Sequence, residues 1–285
     1  MTMSTVNPTP SATGGAIGGT TALSRAASSS MFTKTLWDNR RIFTVWALAT
    51  GLLAVLYASF YPQITEDAMA NVPEAMRGFG FDDASTAAGY LKGAVFGLLI
   101  PLLATFYGAA TGARMISADE ESGYLDLLLA HPISRTRLLL HRLAALAVGA
   151  LAIAAAVLAA MLAVRSSAHL DSISVGNFAA QAVNVMLLAV LFGALATGIG
   201  AATGRPRAVV FGATAGLGVL TYALNGLAPQ TGADWLRYLT PFHYYIGGAP
   251  LTNGLTIGHA AVLAAATVVI TATGAWRLRH RDLGS

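Results

Sequence analysis

The sequence predicts an all-α membrane protein with six transmembrane helices. Charged residues make up only 11% of its 285 residues, and 55% are hydrophobic, whereas a soluble domain averages about 25% charged residues. The chain contains six apolar segments of roughly 18–25 residues. Each is long enough to span a membrane, because about 20 helical residues cross a ~30 Å hydrocarbon core. None of the six contains Asp, Glu, Lys or Arg. There is no cysteine, so disulfides and thiol chemistry are excluded.

The fourth and fifth segments are separated only by Thr203–Arg207, whose proline and two arginines predict a tight hairpin. Pro101 lies in the middle of the second segment and predicts a kink there. The predicted spans are Ile42–Tyr61, Gly93–Ala113, Leu143–Val164, Phe178–Ala202, Ala208–Ala228 and His259–Trp276.

The distribution of basic residues predicts the orientation. With the N-terminus in the cytoplasm, 13 of the 17 Lys and Arg residues lie in inner segments, as the positive-inside rule requires. Both termini are therefore expected on the cytoplasmic side of a bacterial plasma membrane. The four exceptions on the outer side are Arg77, Lys92, Arg165 and Arg237.

Separate predictions apply to the N-terminal residues and to the loop before the sixth span. Residues 1–30 are rich in Ser, Thr, Gly and Ala, which predicts a disordered tail before a membrane domain at 31–285. Residues 31–41 mix aromatic and basic side chains, which favours a helix in the membrane interface or an ordinary flank of the first span. Residues 229–258 are too polar to span and strongly aromatic, so short extracellular helices are expected before the sixth span. His243 within them is interpreted as a lone interfacial histidine, with no metal site.

Small and polar residues within the spans suggest packing contacts. The pairs Gly108–Gly112 and Gly212–Gly216 have GxxxG spacing, which lets helix backbones approach closely, either within one chain or between two copies. The most polar side chains in the spans are expected to bond neighbouring helices or, as the second alternative, to line a substrate path. They are Gln181, Asn184 and Asn225.

The longest patterned polar interruption runs from Ala118 to Leu143, between the second and third spans. Ser117 and Glu120 have capping-box spacing, which predicts a helix from about Ala118 that ends at His131, before Pro132. Tyr124, Leu125, Leu128 and Leu129 form one apolar arc of this helix around Glu121. The arc favours docking to a protein over lying on the negatively charged inner leaflet, because the opposite face is acidic. Ser134 is expected to cap the following helix.

Several functions are excluded by missing motifs. No G-x-x-x-x-G-K-[ST] is present, so this chain has no P-loop. Glu120 and Glu121 resemble the glutamate pair of intramembrane CAAX-type proteases, but Leu125 stands where that family has arginine. Transporters that use ion gradients usually keep an ionisable group in the membrane, and these spans have none. Energy for transport would have to come from a separate ATPase.

The run from Glu121 to Arg135, ESGYLDLLLAHPISR, resembles the segment between helices two and three of ABC-2 type (type V) exporter permeases, particularly bacterial multidrug and antibiotic exporters. That family commonly has an acid, then Gly-Thr-Leu-Glu and leucines, then Pro and Ser-Arg. Six spans, an outer loop before helix six and the basic end at Arg279–Leu283 are also similar. The resemblance covers roughly residues 31–283.

The resemblance implies that this segment is a coupling helix bound in a cleft of a separate nucleotide-binding subunit. Tyr124 for Thr, Asp126 for Glu and His131 before the proline depart from the family pattern. The implied contact residues are Glu121, Gly123, Tyr124, Leu125, Leu128, Leu129, Pro132, Ser134 and Arg135.

The resemblance also implies the partners. ATP and Mg²⁺ are expected in the partner ATPase and no cofactor in this chain, which is then a transporter subunit and not itself an enzyme. The other expected partners are a second permease copy or a homologue, and the lipid membrane, with no nucleic acid. The cargo is expected to be a drug or antibiotic, or else a lipid or similar amphiphile. The alternative is a membrane scaffold or membrane enzyme that works without an ATPase.

Overall fold

The structure is a computed structural model that describes residues 16–63, 77–81, 85–121 and 134–280. At residues 16–31, 77–78, 116, 118–120 and 135 it describes the backbone alone. Across these ranges the regular structure is helical and contains no strand. The α-helices are α1 (Ala16–Ala58), α2 (Ala87–Gly93), α3 (Ile100–Glu121), α4 (Arg135–Val164), α5 (Val175–Thr203), α6 (Arg207–Leu227), α7 (Pro241–Ile246), α8 (Pro250–Asn253) and α9 (Ile257–His280).

Six of the described helical stretches are long and apolar enough to cross a membrane, which confirms the predicted number of spans. The second stretch combines α2, a π-helical segment at Ala94–Leu99, and most of α3. The third begins before the predicted span, because α4 continues into the polar residues that precede it. The six stretches are Phe32–Gln63, Ala87–Met115, Thr136–Val164, Val175–Thr203, Arg207–Thr231 and Ile257–His280.

Helix α5 lies at the centre of the bundle. It packs against α3, α4 and α9, while α1 packs mainly against α4. The most apolar part of α5 is 67% buried, compared with 22% for the span that contains α6 and 11% for that of α9. The exposed apolar surfaces of α6 and α9 therefore require hydrocarbon or a partner around them. The chain is a multi-pass membrane protein.

Glycines set the close approach of α3 to α5. A Cβ atom added at Gly108 would lie 2.3 Å from the carbonyl oxygen of Ala189, and one at Gly112 would lie 2.4 Å from that of Gly193. Both distances are too short for any side chain, so the two helices are in contact through their backbones. We call Gly108, Gly112 and Gly193 the glycine seam.

Pro101 alters the helix where the sequence predicts a kink. Proline has no N–H, so the carbonyl of Gly97 four residues earlier loses its helical donor. The chain forms the π-helical segment just before Pro101, and the hydroxyl of Tyr222 donates to the Gly97 oxygen at 2.8 Å. A residue of α6 thus satisfies the carbonyl that the proline leaves free.

Contacts between distant residues define the two ends of the bundle. At one end, Arg279 of α9 donates to the hydroxyl of Thr136 of α4 at 2.8 Å. We call it the basic end, because it also carries Arg40, Arg207 and Arg277. At the other, the cap end, short helices lie between α6 and α9: α7, α8 and 3₁₀ turns at Ala228–Thr231 and Asp234–Leu239.

Two predictions at the basic end differ from the structure. The backbone of α1 is helical from Ala16, so the helix includes residues assigned to a disordered tail, and it continues without a break through 31–41 into the first span. Alanines in this stretch are compatible with a helix. Ser117 does not begin a new helix, because α3 continues to Glu121. A cap is unnecessary inside a continuous helix, whose N–H groups already have partners.

Candidate functional site

The cap end closes the bundle with an aromatic cluster carried by α7. The hydroxyl of Thr240 accepts from the N–H of His243 and caps this short helix. Phe242 and Tyr245 are fully buried, and the Phe242 ring lies 5.3 Å from that of Tyr222 and 5.8 Å from that of Phe192. Rings at these distances stabilise one another, so α7 is held against α5 and α6.

Residues of this cluster line a cavity of about 440 Å³, which we call the outer cavity after the predicted orientation of the chain. Its volume is within the range of small-molecule sites. The cationic side chains on its wall are Lys92 from α2 and Arg237 from the 3₁₀ turn before α7, and no Asp or Glu is among the described residues that line it. The Arg237 Nε has no hydrogen-bond partner among the described residues. The described lining residues are Phe79, Gly80, Lys92, Gly97, Pro101, Tyr222, Asn225, Pro229, Arg237, Phe242, His243, Tyr245, Ile246 and Gly247.

A second cavity of about 200 Å³ lies next to the first and shares Lys92 and Ile246 with it. We call this second cavity the inner cavity. Gln181 of α5 lines it and is fully buried. Neither its amide nitrogen nor its amide oxygen has a hydrogen-bond partner among the described residues. A buried amide without partners costs about 1–3 kcal/mol, so a polar ligand or water group in this cavity would be stabilised.

Tyr245 lines the outer cavity, and Asn184 is bonded to its backbone. Asn184 Nδ2 donates to the carbonyl oxygen of Tyr245 at 3.0 Å, which ties α5 to α7. The Tyr245 hydroxyl is near Gln181, yet the geometry gives it no hydrogen bond to any described residue. Burial raises the pKa of Tyr245, which therefore stays protonated and can donate. Tyr245 and Gln181 together offer donors and an acceptor at one place.

His243 lines the outer cavity and belongs to a cluster of rings. Its ring centroid lies 4.6 Å from that of Tyr238 and 5.5 Å from that of His259. Burial lowers the pKa of His243, and the nearby His259 and Arg237 lower it further. His243 is therefore neutral at pH 7, which leaves Lys92 and Arg237 as the positive charges of the outer cavity. The described residues contain no group of three His, Asp or Glu that could hold a metal ion.

At the basic end, Glu121 connects α3 to α6. One carboxylate oxygen accepts from the N–H of Arg207 at 2.5 Å, and the other lies 3.6 Å from the Arg207 Nε. Pro206, which precedes α6, provides no side-chain cap. Glu121 supplies that cap from another helix, where a negative charge is favourable at a helix N-terminus.

The described residues form a bundle of six apolar helical stretches, in which α3 ends and α4 begins at the basic end. The sequence matches the family described as ABC-2 family transporter protein over residues 32–283. The chain belongs to that family. It is therefore a membrane permease of the ABC-2 type, and no curated protein matches its sequence.

The predicted coupling residues of the permease are only partly described. Residues 122–133 lie outside the described ranges, and with them Gly123, Tyr124, Leu125, Leu128, Leu129 and Pro132. Of the remaining three, Glu121 contacts Arg207 as above, and the hydroxyl of Ser134 accepts from the N–H of Arg137 at 3.3 Å. Ser134 thus caps α4, as the spacing predicts, and Arg135 begins that helix.

The polar residues predicted for helix bonding or a substrate path cluster at the cap end of the permease. Gln181 lines the inner cavity and Asn225 the outer one, while Asn184 bonds to α7 between them. Asn225 also accepts from the hydroxyl of Thr240 at 3.0 Å. Among the described residues, a Cβ at Gly212 or Gly216 would meet nothing within 4 Å, unlike one in the glycine seam.

Sequence reasoning did not select Lys92, Arg237 or Tyr245 as site residues. A signal was present for the two cations, since both are exceptions to the cytoplasmic bias of basic residues. A third exception, Arg165, has a local partner: its side chain donates to the Asp171 carbonyl oxygen at 3.0 Å. For Tyr245 no signal distinguishes it from the other aromatic residues of its loop.

Proposed function

We propose that this permease is the membrane subunit of an ATP-driven exporter, in which a separate nucleotide-binding subunit supplies the energy. Family membership supports a transport role. The absence of Asp, Glu, Lys and Arg from the predicted spans supports an external source of energy. Export of a drug or antibiotic, or of a lipid or similar amphiphile, fits the aromatic and cationic lining of the outer cavity.

The observation that carries the proposal is the location of the described residues on either side of the motif-bearing segment. Glu121, which precedes it, contacts α6 at the basic end, and Thr136, which follows it, contacts α9 there. A subunit that binds there would act on a segment connected to four helices. The apolar arc of Tyr124, Leu125, Leu128 and Leu129 is the proposed contact, since each buried leucine contributes about 1.5–3 kcal/mol.

The assembly is proposed to contain two permeases and two ATPase subunits, with the basic end in the cytoplasm of a bacterium. ATP and Mg²⁺ would bind to the ATPase subunits. The open surface of α6 around Gly212 and Gly216 supports contact with a second copy, because none of the described residues lies within 4 Å of a Cβ added at either glycine.

The test is copurification of the ATPase with the permease. Leu125→Asp plus Leu128→Asp should abolish copurification and ATP hydrolysis by the assembly, because two carboxylates cannot be buried in an apolar cleft without a large cost. The matched control is Leu239→Asp plus Leu255→Asp, which alters two exposed leucines at the cap end and should leave the complex intact. Undiminished copurification by the first variant would contradict the docking role.

A further inference from the structure

The outer cavity holds two of the four basic residues that break the orientation bias. Positive charges on the outer side oppose the usual distribution, so each needs a local reason. Arg165 has one in Asp171: the Asp171 carbonyl oxygen accepts from the Arg165 guanidinium at 3.0 Å. The Asp171 carboxylate lies 4.0 Å from the Arg165 Nε, although that Nε itself makes no hydrogen bond to the described residues. Arg237 lies on the cavity wall, and its Nε has no partner among the described residues. The cavity itself is the local feature that this arginine faces.

The electrostatics of the cavity favour a negative ligand. Arg237 lies on its wall together with Lys92, and His243 of α7, which also lines the cavity, stays neutral. The described part of the lining supplies no carboxylate. The buried Nε of Arg237 loses hydration, and a bound anion compensates that loss. Arginine is suited to this role, because its guanidinium can hold a carboxylate or phosphate through two N–H groups.

The walls also favour an apolar body. Phe79, Tyr222 and Phe242 line the cavity together with Pro101, and the Phe79 and Tyr222 ring centroids lie 5.3 Å apart. The cavity lies alongside α2, α3 and α6, so its inner part is at membrane depth. An amphiphile could place its charged group near Arg237 and its apolar part along these rings.

We infer that the outer cavity binds amphiphiles with an anionic head group, and that Arg237 recognises the head. One part of this inference rests on the proposed function, namely that the bound amphiphile is the transported cargo. Binding itself is measured on the permease alone, so a failed copurification test leaves this result unaffected, and the reverse also holds.

The probe is 11-(dansylamino)undecanoic acid, an anionic amphiphile, compared with its neutral methyl ester. The full-length permease is placed in phosphatidylcholine nanodiscs, and energy transfer from tryptophan to dansyl reports binding, with empty nanodiscs as background. Trp235 lies two residues from Arg237 and supplies a nearby donor. The acid should give a saturable signal at a concentration at least about tenfold lower than the ester, the scale of one charge-assisted hydrogen bond.

Three variants identify the residue responsible. Arg237→Gln should weaken binding of the acid about tenfold or more and leave the ester unchanged. Arg237→Lys keeps the charge and should retain most of the affinity. Arg165→Gln removes one positive charge from the same side of the membrane, away from the cavity, and should bind the acid as the unaltered protein does.

Equal affinity for the acid and the ester, or undiminished binding by Arg237→Gln, would overturn the inference. A further arm separates two sources of the same chemistry. If phosphatidylglycerol added to the nanodiscs displaces the probe, the ligand is an anionic membrane lipid. If it does not, the ligand is a single-chain or aromatic anion that enters the membrane from elsewhere. Both outcomes support an anionic site.

Discussion

The two GxxxG pairs of this permease have the same spacing and opposite surroundings. Gly108 and Gly112 lie against the backbone of α5, at distances that exclude even a methyl group. At Gly212 and Gly216 of α6, an added Cβ has no neighbouring atom within 4 Å in the part of the chain that the structure describes. A GxxxG motif therefore allows a second helix to approach closely. Whether that second helix belongs to the same chain depends on the rest of the fold.

The largest difference between the two pairs is expected from single alanine substitutions. Gly108→Ala should lower the free energy of unfolding by about 3 kcal/mol, because its Cβ would meet the Ala189 carbonyl oxygen, which cannot rotate away. Gly212→Ala should leave stability unchanged or raise it by up to about 1 kcal/mol through helix propensity. Unfolding by SDS in mixed micelles measures both, and equal effects would show that the seam does not hold α3 against α5.

A smaller difference is expected within α6 itself, where the two faces of one helix can be compared. An added Cβ at Gly218 would lie 2.4 Å from the Thr105 Cγ2, and the Thr105 hydroxyl is bonded to the Pro101 oxygen. Gly218→Ala should therefore cost about 1–2 kcal/mol, with Gly216→Ala, two residues away on the open face, as the control. The same SDS titration applies. A neutral Gly218→Ala would mean that Thr105 readily gives way.

The smallest effect concerns what covers the open face. If a second copy lies there, Gly212→Ile plus Gly216→Ile should weaken self-association by about 1–2 kcal/mol, the scale of a helix contact in a membrane, and leave the unfolding of the monomer unchanged. Single-molecule counting of labelled permease in nanodiscs measures the dimer fraction. Ala261→Ile plus Ala265→Ile adds similar bulk at the same spacing to exposed positions of α9 and provides the control. An unaltered dimer fraction would mean that lipid, and not a second copy, covers this face of α6.

The number and position of the spans could be predicted because the membrane imposes a minimum apolar length. Helix partners could not be predicted, since lipid and protein neighbours are equally apolar and leave no difference in composition. The contact between Glu121 and Arg207 joins residues 86 positions apart, and no local pattern signals it. The predicted polar residues Gln181, Asn184 and Asn225 do lie around the cavities, but Arg237 contributed to the prediction only as an exception to the charge bias.

The bond from Tyr222 to Gly97 fixes the azimuth of α6. Rotation of this helix about its own axis would remove the hydroxyl from a carbonyl that Pro101 has already deprived of its helical donor, and the membrane offers no water to replace it. Axial rotation of α6 is thereby opposed, while movement of α6 together with the π-helical segment leaves the bond intact. A rearrangement that opens the outer cavity would then carry these two elements as one unit.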